Sequence, residues 1–118
     1  MVSERRHKRI EGEILKIAAM TIETLKDPAL RMITVTRVEI TDDLKLAAVY
    51  YVSLKKSNYV QEHLNKVRGI VRNKIGKDLN LRYTPDIKFE YDKGLDYQMS
   101  MENIFKQIKN EESFRKDS

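Results

Sequence analysis

Few side chains in this sequence could carry out acid-base or metal chemistry. The two histidines, His7 and His63, lie far apart in the chain, and neither has a second histidine one helical turn away. The Arg and Lys neighbours of His7 would also repel a metal cation. Asp42 and Asp43 could in principle bind a divalent ion, but adjacent aspartates are more typical of a hairpin turn, which is the interpretation we favour. Without cysteines or any of the common catalytic or phosphate-loop motifs, the sequence predicts no catalytic residue, no cofactor and no metal site.

Positive charge is concentrated in one segment. Residues 54–82 contain eight Lys and Arg residues but only two acids, a local net charge of +6 against +5 for the whole chain. Such a segment attracts polyanions, and binding through phosphate contacts weakens as salt rises. A second basic cluster lies near the N-terminus, so we predict a nucleic-acid partner. The predicted contact residues are Arg5, Arg6, Lys8, Arg9, Lys66, Arg68, Gly69, Arg72, Lys74, Lys77 and Arg82.

Two amphipathic helices are predicted to position these clusters. The first begins near Ser3 or Glu4 and is stopped by Asp27-Pro28. The second begins at a cap formed by Ser57-Asn58, with Gln61 placed to close a capping box. Their apolar stripes are Ile10, Ile14, Ile17, Thr21 and Leu25 in the first, and Val60, Leu64, Val67, Val71 and Ile75 in the second.

Two glycines lie within the second helical pattern. Glycine disfavours a helix interior by about 1 kcal/mol relative to alanine, so Gly69 predicts a kink or a close backbone approach. Gly76 could form the C-terminal cap.

Three alternating segments predict strands. Residues 33–40 form the first, with a slip in phase between Val35 and Val38 that indicates a bulge. A turn at residues 41–43 leads to a second strand over 44–53, which would pair as a hairpin, and a third covers 87–91. Met101, Ile104, Phe105 and Ile108 predict a last helix.

The element order defines an α+β fold, with helices packed on one face of a three-stranded sheet. A chain of 118 residues suits one domain, which we assign to residues 1–110, followed by a disordered tail over 111–118. No apolar run approaches the ~20 residues of a membrane span, and cysteine is absent. We therefore expect a cytoplasmic monomer without a membrane partner or a small-molecule substrate.

Other functions stay open on the residues alone. The protein could be an interaction adaptor that docks a partner through a sheet edge or through Met101, Phe105 and Ile108. A nuclease using Asp42 or His63 is a third, more distant hypothesis. Three tyrosines could stack on bases, although tyrosines in strands more often pack in a core or at its rim: Tyr50, Tyr51 and Tyr83.

Seven short segments, in a fixed order over nearly the whole chain, resemble the ribosome-binding factor A family. They are Arg6-x-x-Arg9-Ile10, Leu25-Lys26-Asp27-Pro28-x-Leu30, residues 33–44 (ITVTRVEITDDL), Ala47-x-Val49-Tyr50, Gly69-Ile70-Val71-Arg72, Leu79-x-Leu81-Arg82-x-x-Pro85-x-Ile87-x-Phe89, and Tyr91-Asp92.

The resemblance implies a KH-like domain of the type II arrangement, in which the second long helix is divided at a kink. It also implies a non-enzymatic assembly factor that binds the maturing small (30S) ribosomal subunit and its 16S rRNA, aids late rRNA processing and supports growth in the cold. The chain departs from the family pattern at three places. Val67-Arg68-Gly69 replaces the usual Ala-x-Gly, Ala29 replaces a common Arg, and Ala48 replaces a common Lys. The G-x-x-G loop of ordinary KH domains is absent.

Overall fold

A computed structural model describes residues 4–54 and 58–94. Helix α1 spans Glu4–Leu25 and α2 spans Asn58–Leu79, with a short 3-10 helix at Pro28–Leu30 between α1 and the sheet. The strands are β1 (Ile33–Ile40), β2 (Leu46–Ser53) and β3 (Asp86–Tyr91). This order confirms the predicted α+β architecture. The predicted last helix at residues 101–108, the tail at 111–118 and Ser57 lie outside the described residues.

The sheet has the order β1-β2-β3, antiparallel between β1 and β2 and parallel between β2 and β3. The predicted bulge is confirmed, because Val35 pairs with Tyr51 whereas Arg37 pairs with Tyr50. Strand β2 begins two residues later than predicted. Leu44 has a left-handed backbone with φ of 60° and belongs to the turn.

The core lies between the helix pair and the inner face of the sheet. α1 packs against β1 and α2, while α2 also packs against β3. Because they pack in this way, both helices have one buried side and one exposed side, as their apolar periods predict. α1 is followed by Lys26, whose backbone is left-handed, and by Asp27, which caps the 3-10 helix. The buried apolar residues of the two helices are Ile10, Ile14, Ala18, Ile22, Val60, Leu64, Val71 and Ile75.

α2 is one continuous helix, so the predicted division into two helices at Gly69 is wrong for this chain. The reason lies in the apolar stripe, which keeps the helical period through the glycine from Leu64 to Val71 and Ile75. Burial of both halves against the same layer outweighs the ~1 kcal/mol preference of glycine for other conformations.

Gly76 does not end α2 either. The helix continues to Leu79, and the next residue, Asn80, has the left-handed conformation (φ 48°) that terminates it. Gly76 instead allows a close approach of the loop before β3. A Cβ added at this glycine would lie 2.6 Å from the Thr84 Oγ1.

The side chain of Gln61 reaches the sheet rather than closing a capping box. Its Oε1 accepts a hydrogen bond from the Tyr51 hydroxyl at 2.6 Å, and its Nε2 donates to the Phe89 carbonyl at 3.0 Å. These two bonds fix the first turns of α2 over β2 and β3.

Candidate nucleic-acid interface

The buried stripe of α2 determines where its cations point. Because Val71 and Ile75 are fully buried, the residues on the opposite side of the helix must face solvent. All five of the predicted cationic contact residues on α2 are exposed: Lys66, Arg68, Arg72, Lys74 and Lys77.

Three of these cations form no ion pair or hydrogen bond in the part of the chain that the structure describes, although Lys66 is near enough to Asp27 to help lower its pKa. Lys66, Arg68 and Lys77 form no ion pair or hydrogen bond with any residue of 4–54 or 58–94. Lysine and arginine side chains carry their cationic heads on flexible stems that can reach a phosphate. They are the part of the predicted set most available to an external phosphate.

The other two cations of α2 are paired. Arg72 Nε lies 3.3 Å from Asp86 Oδ1, and its Nη2 donates to the Thr84 carbonyl at 3.2 Å. Lys74 Nζ lies 3.4 Å from Asp78 Oδ1, one turn further along the helix. Exposed pairs of this type contribute about 0–1 kcal/mol, so an incoming phosphate could compete for either cation. Arg72 has a structural contribution as well, since it ties α2 to the start of β3.

Gly69 lies on the exposed side of α2, between the unpaired cations. No atom of the described residues comes within 4 Å of a Cβ added there, and its φ is not positive. Neither backbone strain nor internal packing within the described residues therefore requires a glycine at this position. The missing side chain leaves the helix backbone open to an external strand.

The N-terminal cluster lies on the exposed side of the first turns of α1. Arg5, Arg6, Lys8 and Arg9 are all exposed, and Lys8 Nζ is 3.9 Å from Glu4 Oε1. His7 faces the sheet, where its Nε2 lies 3.4 Å from the Thr41 carbonyl oxygen.

Arg82 is exposed in the loop between α2 and β3, and it lines the same surface pocket as Arg6. The fold thus brings Arg6 of the N-terminal cluster close to Arg82, although the two arginines are 76 positions apart in the sequence.

The residues considered for catalysis have structural partners. His63 Nδ1 lies 2.9 Å from Asp27 Oδ2, and this contact, together with a hydrogen bond from the Ala29 amide, lowers the pKa of Asp27. Asp43 accepts hydrogen bonds from the Thr41 hydroxyl and the Lys45 amide, which lower its pKa in the same way. No group of three or more potential metal ligands occurs within residues 4–54 and 58–94. Asp42 and Asp43 lie in the turn between β1 and β2, which confirms the turn interpretation.

The structure separates the three tyrosines proposed for stacking. Tyr51 is only 3% exposed and bonded to Gln61, so it belongs to the core. The Arg37 guanidinium covers Tyr50 at 3.8 Å from its ring centroid. Tyr83 is 71% exposed and is the one of the three that an external base can reach.

Lys45, which the sequence analysis did not select, also lines the pocket that contains Arg6 and Arg82. It lies in a hairpin turn outside both basic segments, so the density of charge along the sequence does not single it out.

Among the described residues, no helix has the length and apolarity needed to cross a membrane.

A family model described as Ribosome-binding factor A matches residues 6–105 of this chain. A Ribosome-binding factor A of Francisella philomiragia is 40% identical over 110 residues, which cover 91% of this chain and 77% of the relative. The family is one of ribosome-binding factors rather than a class of enzyme. The chain belongs to the ribosome-binding factor A family.

Solved structures support the same assignment and the KH-like fold. The solution NMR structure of a Thermotoga maritima protein is 34% identical with a TM-score of 0.70, covering 80% of this chain and 93% of that one. A homology model of Thermus thermophilus ribosome binding factor A, fitted into the cryo-EM map of a 30S complex, gives a TM-score of 0.63 at 20% identity; the match covers 71% of this chain and 92% of that one. The latter likeness concerns the fold alone.

Proposed function

We propose that this protein binds the maturing small ribosomal subunit and contacts its 16S rRNA through the exposed cationic side of α2. The observation that carries this proposal is the set of unpaired, exposed cations on one rigid helix: Lys66, Arg68 and Lys77. Family membership supports the choice of partner, as does the 30S complex in which the Thermus relative was placed.

The exposed glycine explains how the helix could approach RNA closely. Gly69 lies between Lys66 and Arg72, so a sugar-phosphate strand could contact the helix backbone while the cations on either side hold its phosphates. The paired cations Arg72 and Lys74 would exchange their exposed carboxylate partners for phosphate. The basic cluster of α1, Arg5 to Arg9, would add contacts beside Arg82, which shares a surface pocket with Arg6.

The proposed role is that of an assembly factor in late rRNA processing that supports growth in the cold. It would act in the cytoplasm as a monomer, by binding rather than by catalysis. Phosphate contacts carry no sequence information, so the shape of the rRNA would determine where the protein binds.

Salt dependence tests the electrostatic mechanism. Neutralising four to six phosphates should lower affinity for purified 30S subunits by about a hundred- to a thousandfold over a fourfold rise in salt. Co-sedimentation through a gradient measures this change, and binding that ignores salt would contradict the mechanism.

A charge-reversal pair identifies the surface. The double variant Lys66→Glu and Arg68→Glu should lose subunit association at least tenfold while keeping most of its thermal stability, because neither side chain forms an ion pair or hydrogen bond in the described parts of the fold. The matched control, Lys16→Glu with Lys93→Glu, changes net charge equally at two other exposed positions and should bind nearly as well as the wild type. Equal binding by both variants would contradict the proposed surface and favour the adaptor hypothesis.

A further inference from the structure

A surface pocket of about 470 Å³ lies at the end of the domain where three segments meet. These segments are the first turns of α1, the turn between β1 and β2, and the loop between α2 and β3. The proposed contacts along α2 do not use this pocket. Its lining residues include Arg6, Leu44, Lys45, Leu81, Arg82 and Tyr83.

The turn that forms one wall of the pocket is held by its own hydrogen bonds. The Thr41 hydroxyl donates to Asp43 Oδ1 at 2.6 Å and accepts from the Leu46 amide at 3.1 Å, while the Lys45 amide donates to Asp43 Oδ1 at 3.0 Å. The Asp86 amide then bonds to the Lys45 carbonyl at 2.8 Å, which ties the turn to the start of β3. The wall is therefore formed before any ligand arrives, which reduces the entropic cost of binding.

The pocket combines an aromatic face with apolar walls. Tyr83 is 71% exposed, and the Arg82 guanidinium carbon lies 5.5 Å from its ring centroid. Leu44 and Leu81 are half-buried and pack against the core, so their positions are fixed from beneath. An exposed tyrosine beside fixed leucines offers a flat apolar surface for a planar ring.

Cations from three separate segments surround this apolar surface. Arg6 comes from α1, Lys45 from the hairpin turn and Arg82 from the loop before β3. Asp43 also lines the pocket, and hydrogen bonds from the Thr41 hydroxyl and the Lys45 amide keep its pKa low. Three cations against one acid leave the rim positive. A ligand that suits this arrangement has a planar ring and a negatively charged group attached to it.

We propose that this pocket binds one unstacked nucleotide of single-stranded RNA. The base would stack on Tyr83 between the leucine walls, and its phosphates would contact Arg6, Lys45 and Arg82. The inference rests on the proposed function, because it assigns an RNA nucleotide to a second surface of the same protein. It adds a stacking contact, which is largely insensitive to salt, to phosphate contacts that are strongly salt-dependent.

The test measures binding of an unstructured RNA decamer that carries a single 2-aminopurine, whose fluorescence responds to stacking. The wild-type protein should bind it with a change in fluorescence. Tyr83→Ala should weaken binding about tenfold, within the range expected for one base stacked on an aromatic ring, and should abolish the fluorescence change. Tyr83→Phe should retain both, because the ring rather than the hydroxyl is required.

Tyr59→Ala is the matched control, since Tyr59 is also strongly exposed (59%) but lies at the start of α2, away from the pocket. It should bind the decamer as the wild type does. Lys45→Ala should lower the slope of log affinity against log salt by about 0.7, the value for one phosphate contact on a single strand. Thermal melts of each variant show whether the fold is retained, and Tyr83→Phe keeps the test valid if Tyr83→Ala unfolds.

Three results would overturn the inference. They are equal binding by Tyr83→Ala and the wild type, no binding of the decamer by the wild type, and binding of free adenosine monophosphate as tightly as the decamer, which would assign the pocket to a free nucleotide. None of these results changes the outcome expected for the double variant Lys66→Glu and Arg68→Glu. Its association with the intact subunit tests the proposed function separately.

Discussion

Replacement of Gly69 by alanine tests the proposed interface with a single methyl group. In the free protein this position is an exposed site inside a continuous helix, where an added Cβ meets no atom within 4 Å. The substitution should therefore improve the folded protein. If a strand of rRNA contacts the helix backbone here, the same methyl group should obstruct binding.

The expected gain in stability follows from helix propensity. Alanine is favoured over glycine in a helix interior by about 1 kcal/mol, and the open surroundings of Gly69 give no clash to subtract from that gain. With an unfolding entropy of about 2.1 cal/mol/K per residue, the 118-residue chain should melt about 4 °C higher.

The expected loss in association is about tenfold. The Cβ would move a phosphate away from one hydrogen bond with a flanking cation, and such a bond to a charged group contributes about 1.5 kcal/mol. Thermal unfolding and co-sedimentation with 30S subunits measure the two effects on the same preparation.

Gly12→Ala is the matched control for this experiment. Gly12 is an exposed glycine inside α1, and a Cβ added there also meets no atom within 4 Å. The control should gain similar stability and bind the subunit as the wild type does. A Gly69→Ala protein that is more stable and binds undiminished would refute the proposed contact, and one that is less stable would refute the account of the helix.

Two further predictions concern the fold that holds the interface. Gly76→Ala should destabilise the protein by up to about 2 kcal/mol in urea denaturation. The new Cβ would lie 2.6 Å from Thr84 Oγ1, and the overpacking cost of about 1–3 kcal/mol is offset by about 1 kcal/mol of helix propensity. Adding Thr84→Ala should remove most of that loss. Asp27→Asn should make the free energy of unfolding fall less steeply as the pH is lowered in the acid range. The hydrogen bond with His63 lowers the folded pKa of Asp27 below its ordinary value of 3.8, so its contribution is present above that pH and is lost as the pH falls through the lowered pKa. An acid loss of stability as steep in the Asn variant as in the wild type would contradict this assignment.

Much of the fold could be predicted because its signals are local. The phase slip after Val35 marked the bulge, and Asp27-Pro28 marked the end of α1. Gly69 misled the prediction because propensity is a local preference, whereas continuity of α2 depends on burial of residues on both sides of the glycine.

The site was harder to predict, because pairing depends on the tertiary fold. The Lys74 pair with Asp78 is four residues apart and was readable from helical spacing. The Arg72 pair with Asp86 was not, because it forms only when the loop after α2 returns the chain to the sheet. The pocket at Tyr83 required the same long-range contacts, since its walls come from three separated segments.

The two proposed contact surfaces together suggest how selectivity could arise without base-specific contacts. Phosphate contacts along α2 and stacking on Tyr83 each tolerate any sequence. From Lys66 to Lys77 the helix rises about 16 Å, toward the end of the domain where Arg82 and Tyr83 lie. An RNA that satisfies both surfaces must present a backbone segment and an unstacked nucleotide at one fixed separation. The rigid helix would then select rRNA by shape, because duplexes and unstructured strands would each satisfy only one of the two surfaces well.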